Sequence, residues 1–158
     1  MARERFRYLY RNTPVLYLRV QADGHPAVEF DGVIDSGATH TVLSIEDAEA
    51  LGLDRTDLIE SPGIIVADDT EVPSWISRVP IRAQVQAELT TGEKLEPWGP
   101  VFDLYPRFMS SASPLWGQED FCASFKVNLE RFLLPAHFVL EYWDGMSEGV
   151  PRTGGART

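Results

Sequence analysis

Residues 78–89 alternate without a break. Val79, Ile81, Ala83, Val85, Ala87 and Leu89 fall on one side, and Arg78, Pro80, Arg82, Gln84, Gln86 and Glu88 on the other. A strand points successive side chains to opposite faces, whereas a helix would smear this pattern around its circumference. The segment therefore reads as a half-buried strand, and such a strand needs a sheet around it. Leu16, Leu18, Val20 and Ala22, interleaved with Tyr17, Arg19 and Gln21, repeat the pattern. Asp23-Gly24 is a hairpin turn signal, and the run 26–35 returns through Val28, Phe30, Val33 and Ile34. Pro62-Gly63 introduces a second hairpin, with arms over 64–67 and 72–76 and a turn at Asp68-Asp69-Thr70. Thr91 to Lys94 reads as a turn, and the prolines and glycine of residues 97–106 are expected to break any long element. Segments 125–129 and 138–143 read as closing strands.

Helix signals are few. Ser44 is a candidate N-cap, Glu46 and Asp47 suit a first turn, and Leu51-Gly52 closes a helix of about two turns. A second short helix is expected near 119–125. The fold class is thus mainly β with one or two short helices. Residues 1–14 form an N-terminal arm and candidate interface strand, 15–143 the folded domain, and 144–158, rich in Gly, Arg and Thr, a flexible tail.

Bulk properties narrow the function. At 158 residues with 44% hydrophobic side chains the chain can bury one real core. Its net charge of −10 argues against nucleic acid, which needs a basic face. One cysteine, Cys122, makes no internal disulfide, and no Cys/His cluster has zinc-ligand spacing. No apolar run approaches the roughly 20 residues of a membrane helix. The expectation is a soluble cytoplasmic protein without metal or cofactor.

Two stretches carry chemistry. The first is Val33-Ile34-Asp35-Ser36-Gly37-Ala38-Thr39-His40-Thr41-Val42-Leu43-Ser44, and the second is Leu115-Trp116-Gly117-Gln118-Glu119-Asp120-Phe121. The first resembles the active-site loop of retropepsin-like aspartic proteases, in which apolar residues precede Asp-Thr/Ser-Gly-Ala. The second resembles the apolar-apolar-Gly element that closes the same domain. The order of loop, helix, hairpin, amphipathic strand, apolar-apolar-Gly and last strand also fits, over residues 15–143, and the detail is closer to bacterial single-domain members. The resemblance implies a closed acid-protease barrel, one lobe per chain.

It further implies that Asp35 is the catalytic carboxylate. The activity would be an aspartic endopeptidase, with a peptide or protein as substrate. Two carboxyls held in contact cannot both ionise, so a pair shares one proton: one member deprotonates water while the other polarises the scissile carbonyl. This chain has one Asp-Ser-Gly, so the second carboxyl would come from an identical subunit across a two-fold axis, making a homodimer. Ser36, Gly37, Ala38 and Thr39 would support the loop, and Leu115, Trp116 and Gly117 would be the apolar-apolar-Gly element of the site. Val66, Ala67, Asp68, Asp69 and Thr70 would form the tip of a flap, acidic where retroviral enzymes use glycine. The same resemblance leads one to expect an acidic residue at position 39 and an arginine pairing to it at 118. Thr39 and Gln118 stand there instead, and a neutral hydrogen bond could take the place of the ion pair.

Plainer readings exist for each residue. Asp35 could cap a turn in a silent module that only dimerises or binds peptide. A Ser36/His40 hydrolase is disfavoured, since no Gly-x-Ser-x-Gly elbow is present. His25 and His137 read as structural or solvated, Trp75, Trp98, Trp116 and Trp143 as core or interface, and Cys122 as buried and inert.

Overall fold

The structure, a computed structural model, describes residues 3–9, 13–66, 68–88, 95–131 and 136–143. Twelve strands and two short helices follow in chain order: β1 (Arg3–Leu9), β2 (Val15–Ala22), β3 (Val28–Ile34), β4 (Val42–Ser44), α1 (Ile45–Ala50), β5 (Leu58–Ile65), β6 (Glu71–Ser77), β7 (Ile81–Glu88), β8 (Leu95–Leu104), β9 (Arg107–Met109), β10 (Leu115–Trp116), α2 (Phe121–Ser124), β11 (Lys126–Glu130) and β12 (His137–Trp143). They form a nine-stranded sheet in the order β5-β6-β9-β4-β10-β3-β2-β7-β8 and a three-stranded sheet, β1-β12-β11.

The alternation sets the core. On β2, Leu16, Leu18, Val20 and Ala22 are buried while Val15, Tyr17, Arg19 and Gln21 face out, and Ile81, Ala83, Val85 and Ala87 do the same on β7. These two strands pair, Leu18 opposite Val85 and Val20 opposite Ala83, so one register buries both apolar sets. Burying each such side chain contributes about 1.5–3 kcal/mol. An aromatic cluster ties the two sheets together: Phe121 and Phe125 stack at 5.1 Å, Phe102 of β8 meets Phe125 at 5.4 Å, and Trp98 of β8 meets Tyr142 of β12 edge-on at 5.0 Å.

Ser44 caps α1 through its hydroxyl to Asp47 N, and Asp47 returns the bond to Ser44 N, a reciprocal cap whose loss costs about 1 kcal/mol. This places α1 immediately after the loop that carries Asp35.

Four expectations change. Among the described residues the nine-stranded sheet stays open instead of closing into a barrel, because β5 and β8 end it with no further described strand on their outer sides. Residues 97–106 do not break the chain: β8 runs ten residues through Pro97 and Pro100. It can do so as an edge strand that, among the described residues, pairs only with β7: Pro97 lies in register opposite Gln86, and Pro100 falls where the register is irregular between Ala83 and Val85. Pro62-Gly63 lies inside β5 as a bulge between Ser61 and Ile64, not ahead of a new strand. Cys122 is half-buried, and its thiol is pushed up by burial first, then by Asp120 and Asp35. Ala67, Leu89, the Thr91 to Lys94 turn, the tail 144–158 and parts of the N-terminal arm lie outside the described residues.

Candidate active site

β3 ends at Ile34 and delivers Asp35 onto a short loop. The backbone of β10 lies beside it in parallel, Leu115 opposite Val33 and Trp116 opposite Ile34. The two motifs, 82 residues apart at the paired positions, thus meet as neighbouring strands. Trp116, fully buried, donates its indole N–H to the Leu16 carbonyl at 3.0 Å, which locks β10 to the central strands. Its ring crosses β3 at Gly32, where a Cβ would stand 2.4 Å from the indole. A glycine in that strand is therefore a requirement of close packing.

The loop is tied down residue by residue. Asp35 N donates to the Trp116 carbonyl at 3.0 Å, and Ala38 N donates to the Asp35 carbonyl at 3.2 Å. Gly37 N donates to Asp35 Oδ1 at 2.9 Å, so one carboxylate oxygen is held by its own loop. Gln118 N donates to the Ala38 carbonyl at 2.9 Å and Glu119 N to the Thr39 carbonyl at 3.1 Å. Ser36 and Gly37 are exposed, and Asp35 is half-exposed at the loop's start. A carboxylate so placed has a fixed backbone and a side chain that reaches solvent.

The position where an arginine was expected behaves differently from a bare loss. Gln118 Nε2 donates to the Ser36 carbonyl instead of pairing with Thr39. One residue further along both segments, His40 Nδ1 lies 3.2 Å from Glu119 Oε2, a contact that becomes an ion pair when the imidazole is protonated. His40 is thereby engaged by Glu119, which leaves the Ser36/His40 pairing without support.

Beneath the loop sits a group that sequence reasoning passed over. Asp120, 2% exposed, accepts from Thr41 Oγ1 at 2.6 Å, Phe121 N at 2.7 Å and Tyr105 N at 3.0 Å. Burial pushes its carboxyl above the ordinary carboxylate range, against the lowering effect of those three hydrogen bonds. Thr41, fully buried, accepts from Gly117 N at 3.0 Å through the same hydroxyl. No local pattern in the sequence marks this pair, whose members lie 79 residues apart.

The flap candidates occupy the tip of the β5–β6 hairpin. Val66 N donates to the Thr70 carbonyl at 3.0 Å, Asp69 N to the Val66 carbonyl at 2.9 Å, and Thr70 N to Asp68 Oδ1 at 3.0 Å. Asp69 takes a left-handed backbone at φ 62°, which aspartate tolerates better than most residues. The hairpin base is pinned by Ser74, whose hydroxyl donates to the Pro62 carbonyl at 3.0 Å across the bulge and lies 2.9 Å from the Ser61 hydroxyl. Among the described residues no group of three or more His, Cys, Asp or Glu could hold a metal ion, and no helix is long and apolar enough to cross a membrane.

Comparison with known proteins points the same way. A family model described as aspartyl protease matches residues 18–89, from β2 through the Asp35 loop and the hairpin to β7. No curated protein matches the chain by sequence. Fifteen solved chains match it in structure, among them a retropepsin-like aspartic protease from Rickettsia conorii, with 18% sequence identity and a TM-score of 0.53. That match covers 89% of this chain and 92% of the other. The fold, in which the Asp-Ser-Gly loop meets the Leu115–Gly117 element, is thus retropepsin-like.

Proposed function

We propose that the chain is an aspartic endopeptidase acting as a homodimer, with Asp35 and its counterpart from a second copy forming the catalytic pair. The observation that carries this reading is the state of Asp35 itself. Its backbone is fixed by Trp116, one oxygen is held by Gly37 N, and its side chain is half-exposed at the end of β3. The aspartyl-protease match over the same residues supports a hydrolase of this class.

In the proposed reaction a water sits between the two carboxyls. One carboxylate removes a proton from the water as its oxygen bonds to the carbonyl carbon, and the other carboxyl gives its proton to the carbonyl oxygen. The tetrahedral adduct then collapses: the C–N bond breaks, and the nitrogen leaves as an amine with the proton first taken from water. One hydroxyl of the adduct returns a proton to the second carboxylate as the new C=O forms, which leaves a carboxylic acid and restores the pair. Ser36 and Gly37 flank the pair, and the β5–β6 hairpin would close over the peptide. The single Asp-Ser-Gly of the chain requires the second copy.

The test is peptide cleavage by wild type and Asp35→Asn at mildly acid pH, with sedimentation of both. Wild type is expected to cleave and to sediment as a dimer, and the variant to lose at least about 10³-fold in kcat while keeping its fold. A variant within tenfold of wild type would place the chemistry elsewhere. A folded wild type that binds peptide without cutting it would favour a silent peptide-binding module.

A further inference from the structure

We propose that Thr41 and Asp120 are positioning residues for the Asp35 loop, with Asp120 orienting the Thr41 hydroxyl so that it receives the Gly117 N–H. The proposal rests on the reading of Asp35 as the catalytic carboxylate.

A hydroxyl carries one hydrogen. Gly117 N can only donate, so Thr41 Oγ1 accepts on that side at 3.0 Å, and its own hydrogen must go to Asp120 Oδ1 at 2.6 Å. Thr41 is fully buried and Asp120 nearly so, so solvent does not offer the hydroxyl another orientation. Asp120 receives donors on both oxygens, Phe121 N and Thr41 Oγ1 on Oδ1 and Tyr105 N on Oδ2. A helix cap would use the Phe121 bond alone. The bonds to Thr41 and Tyr105 reach the Asp35 loop and the segment between β8 and β9, which a cap has no need to do.

The path to the reacting group is short. Asp120 fixes Thr41, Thr41 fixes the Gly117 N–H, and the peptide unit before Gly117 carries the Trp116 carbonyl that accepts Asp35 N at 3.0 Å. The loop is therefore held at Asp35 and again at Thr41, six residues on. Gly117 is drawn so close to the loop that a Cβ there would lie 2.4 Å from the His40 carbonyl carbon. Burial at Asp120 makes this arrangement costly, and a costly buried carboxylate with three donors aimed at it marks a site where orientation matters.

The test uses the full chain with Thr41→Val, Thr41→Ser and Asp120→Asn. It reads kcat and KM on a peptide substrate, thermal unfolding, and the carbon NMR signal of the Asp35 carboxyl, assigned by its loss in Asp35→Asn. Thr41→Val is expected to lower kcat about tenfold or more, since small misplacements of a reacting group are expensive, with KM little changed. It should also shift the Asp35 signal, and Thr41→Ser, which keeps the hydroxyl, should restore both. Should Thr41→Val not fold, Asp120→Asn carries the same expectation, because its amide presents N–H where a donor already stands. A lower unfolding temperature with unchanged kcat and an unmoved Asp35 signal would overturn the proposal and leave a purely structural brace. If wild type proves inactive, the endopeptidase reading fails, yet the carboxyl signal still decides: moved in Thr41→Val and restored in Thr41→Ser upholds positioning, and unmoved overturns it.

Discussion

The Asp35 loop and the tip of the β5–β6 hairpin are both irregular connections, held in opposite ways. The loop is bonded across the chain to Trp116, Gly117, Gln118 and Glu119, and rests on two buried polar side chains. The tip is bonded to itself, through Val66, Asp68, Asp69 and Thr70, and neighbouring Ile65 is 69% exposed. A group that must meet a second carboxylate within hydrogen-bond distance has little positional tolerance. A segment that must admit and release a peptide needs a low cost of displacement, which few buried contacts provide. On the proposed function, the two regions are held differently because their tasks would differ.

Gly117→Ala should break the contrast most severely. The new Cβ would meet only backbone, His40 C at 2.4 Å, His40 O at 2.5 Å and Thr41 N at 2.7 Å, none of which can swing away. A loss of about 3 kcal/mol is expected. For a domain of this size that is roughly 10 °C in unfolding temperature by calorimetry. An unfolding temperature within about 2 °C of wild type would show that the loop is softer than its bonding suggests.

The next effect is smaller and depends on pH. Burial raises the Asp120 carboxyl, so the folded state holds that proton more tightly than the unfolded chain does. The resulting stability is fully present below the ordinary carboxylate range and is lost as pH climbs through the raised value. Asp120→Asn has no such proton. Melting curves from acid to neutral pH should therefore fall more steeply for wild type than for the variant, whatever their absolute offset. Parallel curves would mean that Asp120 titrates like a solvated carboxyl.

Least disturbing should be Ile65→Ser beside the hairpin tip. Stability should change by no more than about 0.5 kcal/mol, as for other exposed positions. KM for peptide should rise several-fold, with kcat nearly constant. A fall in kcat at constant KM would erase the division between a rigid loop and a yielding flap.

Most of the fold was legible because its information is local. Period-two alternation in β2 and β7, the Ser44 cap and the Asp23-Gly24 turn each act within a few residues. What escaped prediction is set by position in the sheet. Prolines 97 and 100 read as breakers, yet sit in β8 because that strand is an edge. The resemblance marked both Val33-Ile34 and Leu115-Trp116, but their meeting as neighbouring strands was not foreseen, since spacing carries no sign of it. Thr41 and Asp120 went unassigned because a buried bond between residues 79 apart leaves no periodic trace. Likewise Gln118 and His40 read as lost charges or bystanders, when each had found another partner, Ser36 and Glu119.

The pairing of β1 with β12 bears on how the chain is made. Leu9 lies opposite His137 and Arg3 opposite Trp143, so among the described residues the first strand pairs with the last. During synthesis β1 emerges early and must wait while 128 or more residues (137 − 9 = 128 at the nearest pair) are added. Ribosomes extend chains at about 5–20 residues per second, so the wait lasts on the order of ten seconds. Throughout it, the three-stranded sheet cannot form, and Phe138 and Leu140 are not yet there to complete the core. Non-local pairing of this kind also slows refolding from denaturant, because the long closure is lost entropy before it is gained contact. A nascent chain stalled before residue 137 would hold β1 without the strand it pairs with.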